Sequence, residues 1–407
     1  MNAKILSGVL ALYCLWSPAL QADQSAPQLE EVLVSAQRKT EDLQNVPISI
    51  SVVDAQTLAR NAIFNFAETA QLTPGVELLA TSPHLAAIKL RGVGPDFFAA
   101  GAAQSVPIFV DEVAASQPGA VFSTMIDVAR IEVLRGPQGT LYGRNAPAGA
   151  YNITTIAPSF DGVDGFAQAA YSEWDNTGEP TTDIRGGFNI PLIDDRLAAR
   201  FSAVYAETDG GIKMRSPLAV ENTTGGKDHK SLRGRLLWRP SDDSELHFHA
   251  NYQELQDFYS WQTYEGLVPA TGGANPVPAI FSKFEDRTDY GNFRSGSDVD
   301  VEDVALRYFW SGELTNFAAI VGYQKFTTDF VQNQAPNPSA EQGFVDVELM
   351  TQQYTLELRV SDSSDTLDYV AGVYFIARDS SSDAFLDVGG AEIDNFVESD
   401  TFGQAVF

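Results

Sequence analysis

Cysteine is almost absent: the one thiol in 407 residues is Cys14. It falls inside an apolar N-terminal stretch that reads as an export signal, so the processed chain is expected to carry none. That excludes disulfides, cysteine nucleophiles and cysteine metal sites. Basic residues are scarce too, 26 Lys and Arg against 54 Asp and Glu, for a formal charge of -28. So acidic a chain repels phosphate backbones, and nucleic acid is not an expected partner. No apolar run has the roughly 20 residues that a spanning helix needs. If the chain sits in a membrane, it does so as a β-barrel, which also satisfies its backbone internally. There is no Gly-x-Ser-x-Gly elbow and no Gly-Lys-Ser/Thr phosphate loop. Gly92-Val93-Gly94 lacks a third glycine and runs into Pro95 instead of a helix start. No enzyme activity and no cofactor is expected.

What is present falls into four stretches. Residues 1–22 have the parts of a secretory signal: Lys4, the short apolar run Ile5 to Trp16, and a small-residue cleavage site at Ser17-Pro18-Ala19 or Leu20-Gln21-Ala22. Residues 23–45 form a short tail. Residues 46–158 read as a compact α+β domain. Pro47 to Val53 is β-branched, Asp54 offers an N-cap, Asn65 and Glu68 have capping-box spacing, and Pro74-Gly75 stops the second helix. Short strands are expected at Ala87 to Arg91, Val106 to Val113, Ile131 to Leu134 and Tyr151 to Thr155.

Residues 159–407 change style. Segments of about ten residues alternate in polarity, as transmembrane β-strands with a lipid face and a lumen face do. In Gln353 to Val360, Tyr354, Leu356, Leu358 and Val360 oppose Gln353, Thr355, Glu357 and Arg359. A water-soluble sandwich also alternates, but the connections discriminate. Short turns at Pro191 to Asp195, Pro240 to Ser244, Ser311 to Glu313 and Ser361 to Thr366 intervene between long polar loops. Those loops are Glu207 to Lys230, Gln256 to Val299, Val331 to Glu348 and Asp379 to Asn395. Tight turns at one end and extended loops at the other suit an antiparallel transmembrane β-barrel of about ten strands. A barrel that narrow is nearly filled by its own side chains and has no room for the preceding domain. The expectation is therefore the leading part of a larger barrel.

Arg130 to Thr155, RIEVLRGPQGTLYGRNAPAGAYNITT, closely resembles the plug signature of TonB-dependent outer-membrane receptors. Leu90-Arg91-Gly92-Val93 and Val106 to Asp111 look like further plug elements, and weaker barrel matches lie at Leu232 to Pro240, Tyr354 to Val360 and Tyr369 to Phe375. Pro147-Ala148 departs from the family's glycine-richer turn.

The resemblance implies an outer-membrane receptor that imports a scarce solute, most often a ferric siderophore or other iron complex. Its partners would be TonB with the inner-membrane energising complex, a small-molecule or metal-chelate ligand, and outer-membrane lipid, and a monomer is expected. By resemblance, Glu31, Val32, Leu33, Val34, Ser35 and Ala36 look like the TonB box, a strand that adds to a partner's sheet edge. The same residues can also serve as the domain's own first strand. Arg91 and Arg135 are candidate plug-to-barrel locks and Glu357 a candidate wall partner, through planar bidentate pairing. Solvated surface arginines are the alternative. Gly136, Gly139, Gly143 and Gly149 allow tight turns and close backbone approach. Phe97, Phe98 and Gln104 are expected to face the ligand. Two further readings are open: a non-functional fragment of such a receptor, or a secreted plug-plus-β binding module.

No metal site is expected. Glu245, His247 and His249 share a strand face, but such residues ordinarily line a wet lumen. Asp298, Asp300, Glu302 and Asp303 lack the glycine a calcium loop needs.

Overall fold

The computed structural model describes residues 33–34, 38, 41–44, 46–61, 63, 65–80, 86–95, 105–121, 125–142, 146–214, 223–259, 266–268, 280–282, 288–289, 295–333, 344–363, 368–388 and 391–406. The expected export signal lies outside them. Local chemistry sets the first body. β1 (Leu33–Val34) pairs with β2 (Glu41–Asp42). β3 (Ser49–Asp54) ends on Asp54, whose carboxylate accepts from the Thr57 backbone N–H at 2.6 Å and caps α1 (Ala55–Arg60). The capping box forms at α2 (Phe66–Leu72): Glu68 N–H donates to Asn65 Oδ1 at 3.0 Å, and Asn65 N–H to Glu68 Oε2 at 3.4 Å. β4 (Val76–Ala80) and β5 (Ala86–Leu90) form a hairpin.

The central sheet adds β6 (Ile108–Val110), β7 (Val113–Ala114), β8 (Val128–Arg135) and β9 (Gly149–Thr155), in the order β3-β8-β9-β6-β7. A 3-10 turn (Pro118–Val121) and α3 (Gly139–Tyr142) complete the body. Its core is apolar: Phe66 meets Tyr151 edge-on at 5.3 Å, with Ile88, Leu90, Ile131 and Val133 buried beside them. Residues 106–113, expected as one strand, are instead a hairpin. Asp111 and Glu112 turn it with φ of 48° and 71°. Two residues with positive φ give the turn whose twist matches paired strands, and polar Asp tolerates that backbone.

The second body is one antiparallel sheet of ten strands. They are β10 (Asp164–Glu173), β11 (Pro180–Ile193), β12 (Leu197–Thr208), β15 (Lys227–Ser241), β16 (Ser244–Tyr259), β20 (Ser295–Ser311), β21 (Asn316–Asn333), β22 (Phe344–Ser363), β23 (Asp368–Val388) and β24 (Ala391–Val406). The small strands β13 (Ile212–Met214), β14 (Thr223–Thr224), β17 (Gly266–Val268), β18 (Ile280–Ser282) and β19 (Thr288–Asp289) decorate the long connections. Neighbours in the large sheet follow chain order, so it is an up-and-down wall.

Polarity in that wall is inverted. On β12, Arg200, Ser202 and Val204 are buried, while Phe201 and Tyr205 are exposed. On β15, Arg233 and Arg235 are buried and Leu232, Leu236 and Trp238 exposed. Period-2 strands with apolar side chains outward and polar ones inward are what lipid outside and a polar lumen inside require. Among the described residues no helix is long and apolar enough to cross a membrane, which leaves strand crossing untouched.

The short turns fall at one end: β11 ends at Ile193 before β12 starts at Leu197, and β15 ends at Ser241 before β16 starts at Ser244. One expected loop is corrected. Residues 379–395, expected as a long loop, are strand up to Val388 and again from Ala391. Ser and Asp content gives the stretch a loop's composition, but composition does not report backbone pairing.

Candidate functional site

The junction of globule and wall is built from polar faces on both sides. Asp127 lies in the turn before β8 with φ 57°. Its carboxylate accepts a bidentate pair from wall residue Arg200, at 2.5 and 2.7 Å, and a third bond from the Ser202 hydroxyl at 2.6 Å. At the β6–β7 turn, Asp111 accepts from the Thr155 backbone N–H at 3.0 Å and hydroxyl at 2.6 Å. Arg235 of β15 stands 3.5 Å from its carboxylate and donates to Ile156 O at 2.9 Å; Arg307 of β20 donates to Asp111 O at 3.1 Å. Glu112 meets Arg359 of β22 at 2.8 Å. Arg38 runs the other way: its guanidinium lies 4.7 and 4.6 Å from the Phe109 and Tyr142 rings and 3.7 Å from wall residue Glu357.

Six non-glycine residues among those described have positive φ, and four of them are Arg38, Asp111, Glu112 and Asp127. Backbone in that region costs energy and persists where surroundings over-determine it. Here the wall's ion pairs are those surroundings. Burial pushes the Asp111 carboxyl up, but Arg235, Arg307, His249 and the Thr155 hydroxyl outweigh it and hold the group well below the usual range. Glu112 behaves alike: burial raises it, and Arg359, Arg38 and Arg307 bring it below its ordinary value.

Neutral bonds complete the junction. The Ser116 N–H donates to Gln324 Oε1 at 2.7 Å, Gln353 Nε2 to Ala114 O at 2.8 Å, and Gln117 Nε2 to Thr351 Oγ1 at 2.9 Å. A polar cavity of about 300 Å³ remains between the β6–β7 turn and the short-turn end of β20 and β21, lined by Arg38, Glu112, Arg307, Phe309, Asn316 and Arg359 among others.

The two expected locks make their described hydrogen bonds within the globule. Arg91 donates to Ser49 Oγ at 3.3 Å, and Arg135 to Ser51 Oγ at 2.6 Å and Pro74 O at 3.1 Å, all inside the globule. Their acceptors sit on β3 and just after α2. Across the described junction the wall supplies most arginines and the globule the carboxylates. The signal is present in the sequence, as arginines in the lumen phase of alternating strands (Arg200, Arg233, Arg235, Arg307, Arg359). Glu357 accepts from Arg359 at 2.6 Å besides facing Arg38.

Of the coupling segment, Leu33 and Val34 are described, paired with Asp42 and Glu41, and Val34 is fully buried against Phe109, Leu134 and Tyr142. Glu31, Val32, Ser35 and Ala36 lie outside the described residues, as do Gly143, Phe97, Phe98 and Gln104. Gly149, at φ 152°, is required where it is: a Cβ there would stand 2.1 Å from Leu134 O. Gly136 has φ 97°, whereas a Cβ at Gly139 would meet nothing within 4 Å, so close approach does not explain that glycine. His247 turns to Glu245 at 3.3 Å and His249 to Asp303 at 3.0 Å.

Residues 42–150 match the family described as TonB-dependent Receptor Plug Domain. The pesticin receptor of Yersinia pestis is 27% identical over 281 residues, covering 66% of this chain and 40% of its own length. The vitamin B12 transporter BtuB of Photobacterium profundum is 24% identical, covering 82% of this chain and 55% of its own. Among solved structures, the ferric yersiniabactin uptake receptor FyuA from Yersinia pestis superposes with a TM-score of 0.64 at 18% identity, over 88% of this chain and 61% of that one. The siderophore receptor PiuA from Acinetobacter baumannii gives 0.63 at 12%, over 88% and 49%. The chain spans about two fifths to three fifths of the length of these relatives.

Proposed function

Since the chain belongs to the TonB-dependent outer-membrane receptors, we propose that it binds a scarce solute at the outer surface and imports it with energy relayed by TonB. The favoured cargo class is a ferric siderophore or other iron complex. The carrying observation is a wall with Phe201, Trp238, Leu306 and Tyr354 exposed outside and Arg200, Arg235, Gln353 and Glu357 buried inside, around a globule held by those inward residues. Ion pairs and hydrogen bonds suit a plug that must be both seated and movable. An apolar junction would lose far more on wetting. In the family's arrangement the short-turn end faces the periplasm and the long connections face outward.

The coupling step is assigned to Glu31 to Ala36. A short strand can add to a sheet edge of TonB through main-chain bonds. In the resting arrangement Val34 is packed into the plug, so engagement requires withdrawing it. The next described residue, Arg38, touches both plug and wall, which places it early in the path of any pull on the strand. Phe97, Phe98 and Gln104 are assigned to the ligand side.

The test is growth and uptake of radiolabelled iron from a panel of ferric chelates, with and without the gene as the cell carries it. Deleting Glu31 to Ala36 is expected to abolish uptake while chelate binding at the cell surface stays unchanged. Uptake that survives the deletion removes the coupling assignment.

A further inference from the structure

On the reading that this is a receptor, we infer where the solute crosses: along one strip of wall formed by β16, β20 and β21, with the β6–β7 hairpin as the gate. Three observations lie on the same strands. At the outer end, Gln253 is fully buried, yet among the described residues neither atom of its amide has a hydrogen-bond partner, and the buried hydroxyls of Ser297 and Thr328 have none there either. All three point inward and flank an apolar patch of Val299, Val301 and Phe326 that meets Ala120 of the plug. Buried polar atoms with no partner are costly, and water or a solute hydroxyl entering there removes that cost. This seam gains by being wetted.

At the inner end lies the cavity of about 300 Å³, with one side made by Phe309 and Trp310 of β20 and Asn316 and Phe317 of β21. Among the described residues, the hairpin and the segment that follows it to Ala120 lie between the two ends along these strands. Val113 seats against Gly322 of β21, where a Cβ would stand 2.5 Å from Val113 Cγ1. Neutral bonds hold its trailing side, Ser116 to Gln324 and Gln353 to Ala114. Arg307 and Arg359 latch its tip.

Three to four strands away along the wall, at β12, the plug is held differently. Asp127 there accepts three bonds from β12, and its pair with Arg200 is buried on both sides. Breaking such a pair strands a buried charge. The hairpin tip has charge pairs of its own, Asp111 with Arg235 and Glu112 with Arg359. The seam above it, at Ser297 and Thr328, is met among the described residues by the apolar patch and Ala120, contacts that yield to water without stranding a charge. Of the described wall, the outer seam of β20 and β21 is therefore where the plug parts first.

The test uses the receptor as the cell makes it, purified from outer membranes, and exploits the expected lack of thiols in the processed chain. Single variants Ser297→Cys, Thr328→Cys and Ser202→Cys are exposed to a water-soluble, membrane-impermeant maleimide as urea is raised to loosen the plug. The first two are expected to react at lower urea than the third, and at least tenfold faster at matched urea. A second set joins Val113→Cys and Gly322→Cys by a disulfide. Oxidation is expected to suppress labelling in the added Thr328→Cys background, and prior reduction with blocking of the pair to restore it. Equal rates at the three positions, faster reaction at 202, or labelling indifferent to the staple each overturn the proposal. Labelling needs neither TonB nor a cognate solute, so its failure is separable from failure of the uptake reading.

Discussion

Plug and wall are made by one chain with opposite rules. In the plug, Phe66, Ile131 and Tyr151 are buried and the surface is polar; in the wall, Phe201, Trp238 and Tyr354 are exposed and Arg200, Gln253 and Glu357 are buried. Each body follows its own solvent. The plug hides apolar area from water, and the wall offers apolar area to lipid while keeping polar groups for the lumen. Where the two meet, both show mostly polar faces, with one apolar patch at Ala120, so the junction is held chiefly by charge and hydrogen bonds. Specificity of fit then comes from pairing geometry, with little hydrophobic gain to lose on release.

The largest effects should separate these rules most sharply. Phe66→Ala is expected to cost the plug about 3–5 kcal/mol through lost burial and a cavity. Tyr354→Ala, on the outward face, should leave plug stability unchanged. Urea unfolding followed on the plug checks both, and equal losses would break the comparison. Arg200→Ala should also cost about 3–5 kcal/mol, because Asp127 is left charged and buried. Arg91→Ala, whose partner is a plug serine, should cost under about 1 kcal/mol. Protease nicking of the plug in intact membranes reports the difference; similar nicking in the two variants would favour Arg91 as a lock.

Smaller effects sharpen the comparison further. Phe201→Arg puts a charge on the lipid face and is expected to cost up to about 2–4 kcal/mol, depending on depth. Heat-modifiable migration should reveal poorer assembly, while an unaffected barrel would argue that Phe201 does not face lipid. Asp111 and Glu112 have folded-state values held below their ordinary ones. Their contribution is therefore fully present above the unfolded carboxylate range, about pH 4 to 5, and is lost as pH falls through the folded values. Plug release, read by labelling of Thr328→Cys, should rise with acidification below that range. A rise on going alkaline would contradict the ion-pair account. Asn65→Ala is expected to remove about 1 kcal/mol by deleting the α2 cap. Thermal unfolding of the plug measures it, and no change would mean the box contributes nothing.

Much of this molecule is legible in its sequence. Asp54 and Asn65 announce two helix starts because capping depends on residues three positions apart. Strand periodicity in Gln353 to Val360 tells which side chains share a face, because the pleat repeats every two residues. The lock pairs are not legible. Arg91 and Arg135 carry the right chemistry, but their hydrogen bonds go to Ser49, Ser51 and Pro74 within the plug. Asp111 and Glu112 resemble strand residues, since apolar neighbours on both sides hide a two-residue turn. The hairpin at 379–395 has the composition of a loop because polarity measures wetting and says nothing about backbone pairing.

By itself, then, the chain's order of residues determined two bodies, their polarities, the up-and-down course of the wall and the plug's helix ends. These are short-range properties, set within a few residues of each position. Only the tertiary structure decided that Asp127 meets Arg200 across 73 positions, that Glu112 meets Arg359 across 247, and that Val113 rests on Gly322. Such pairings depend on how far the plug is rotated and inserted within its wall, and no local pattern encodes that angle.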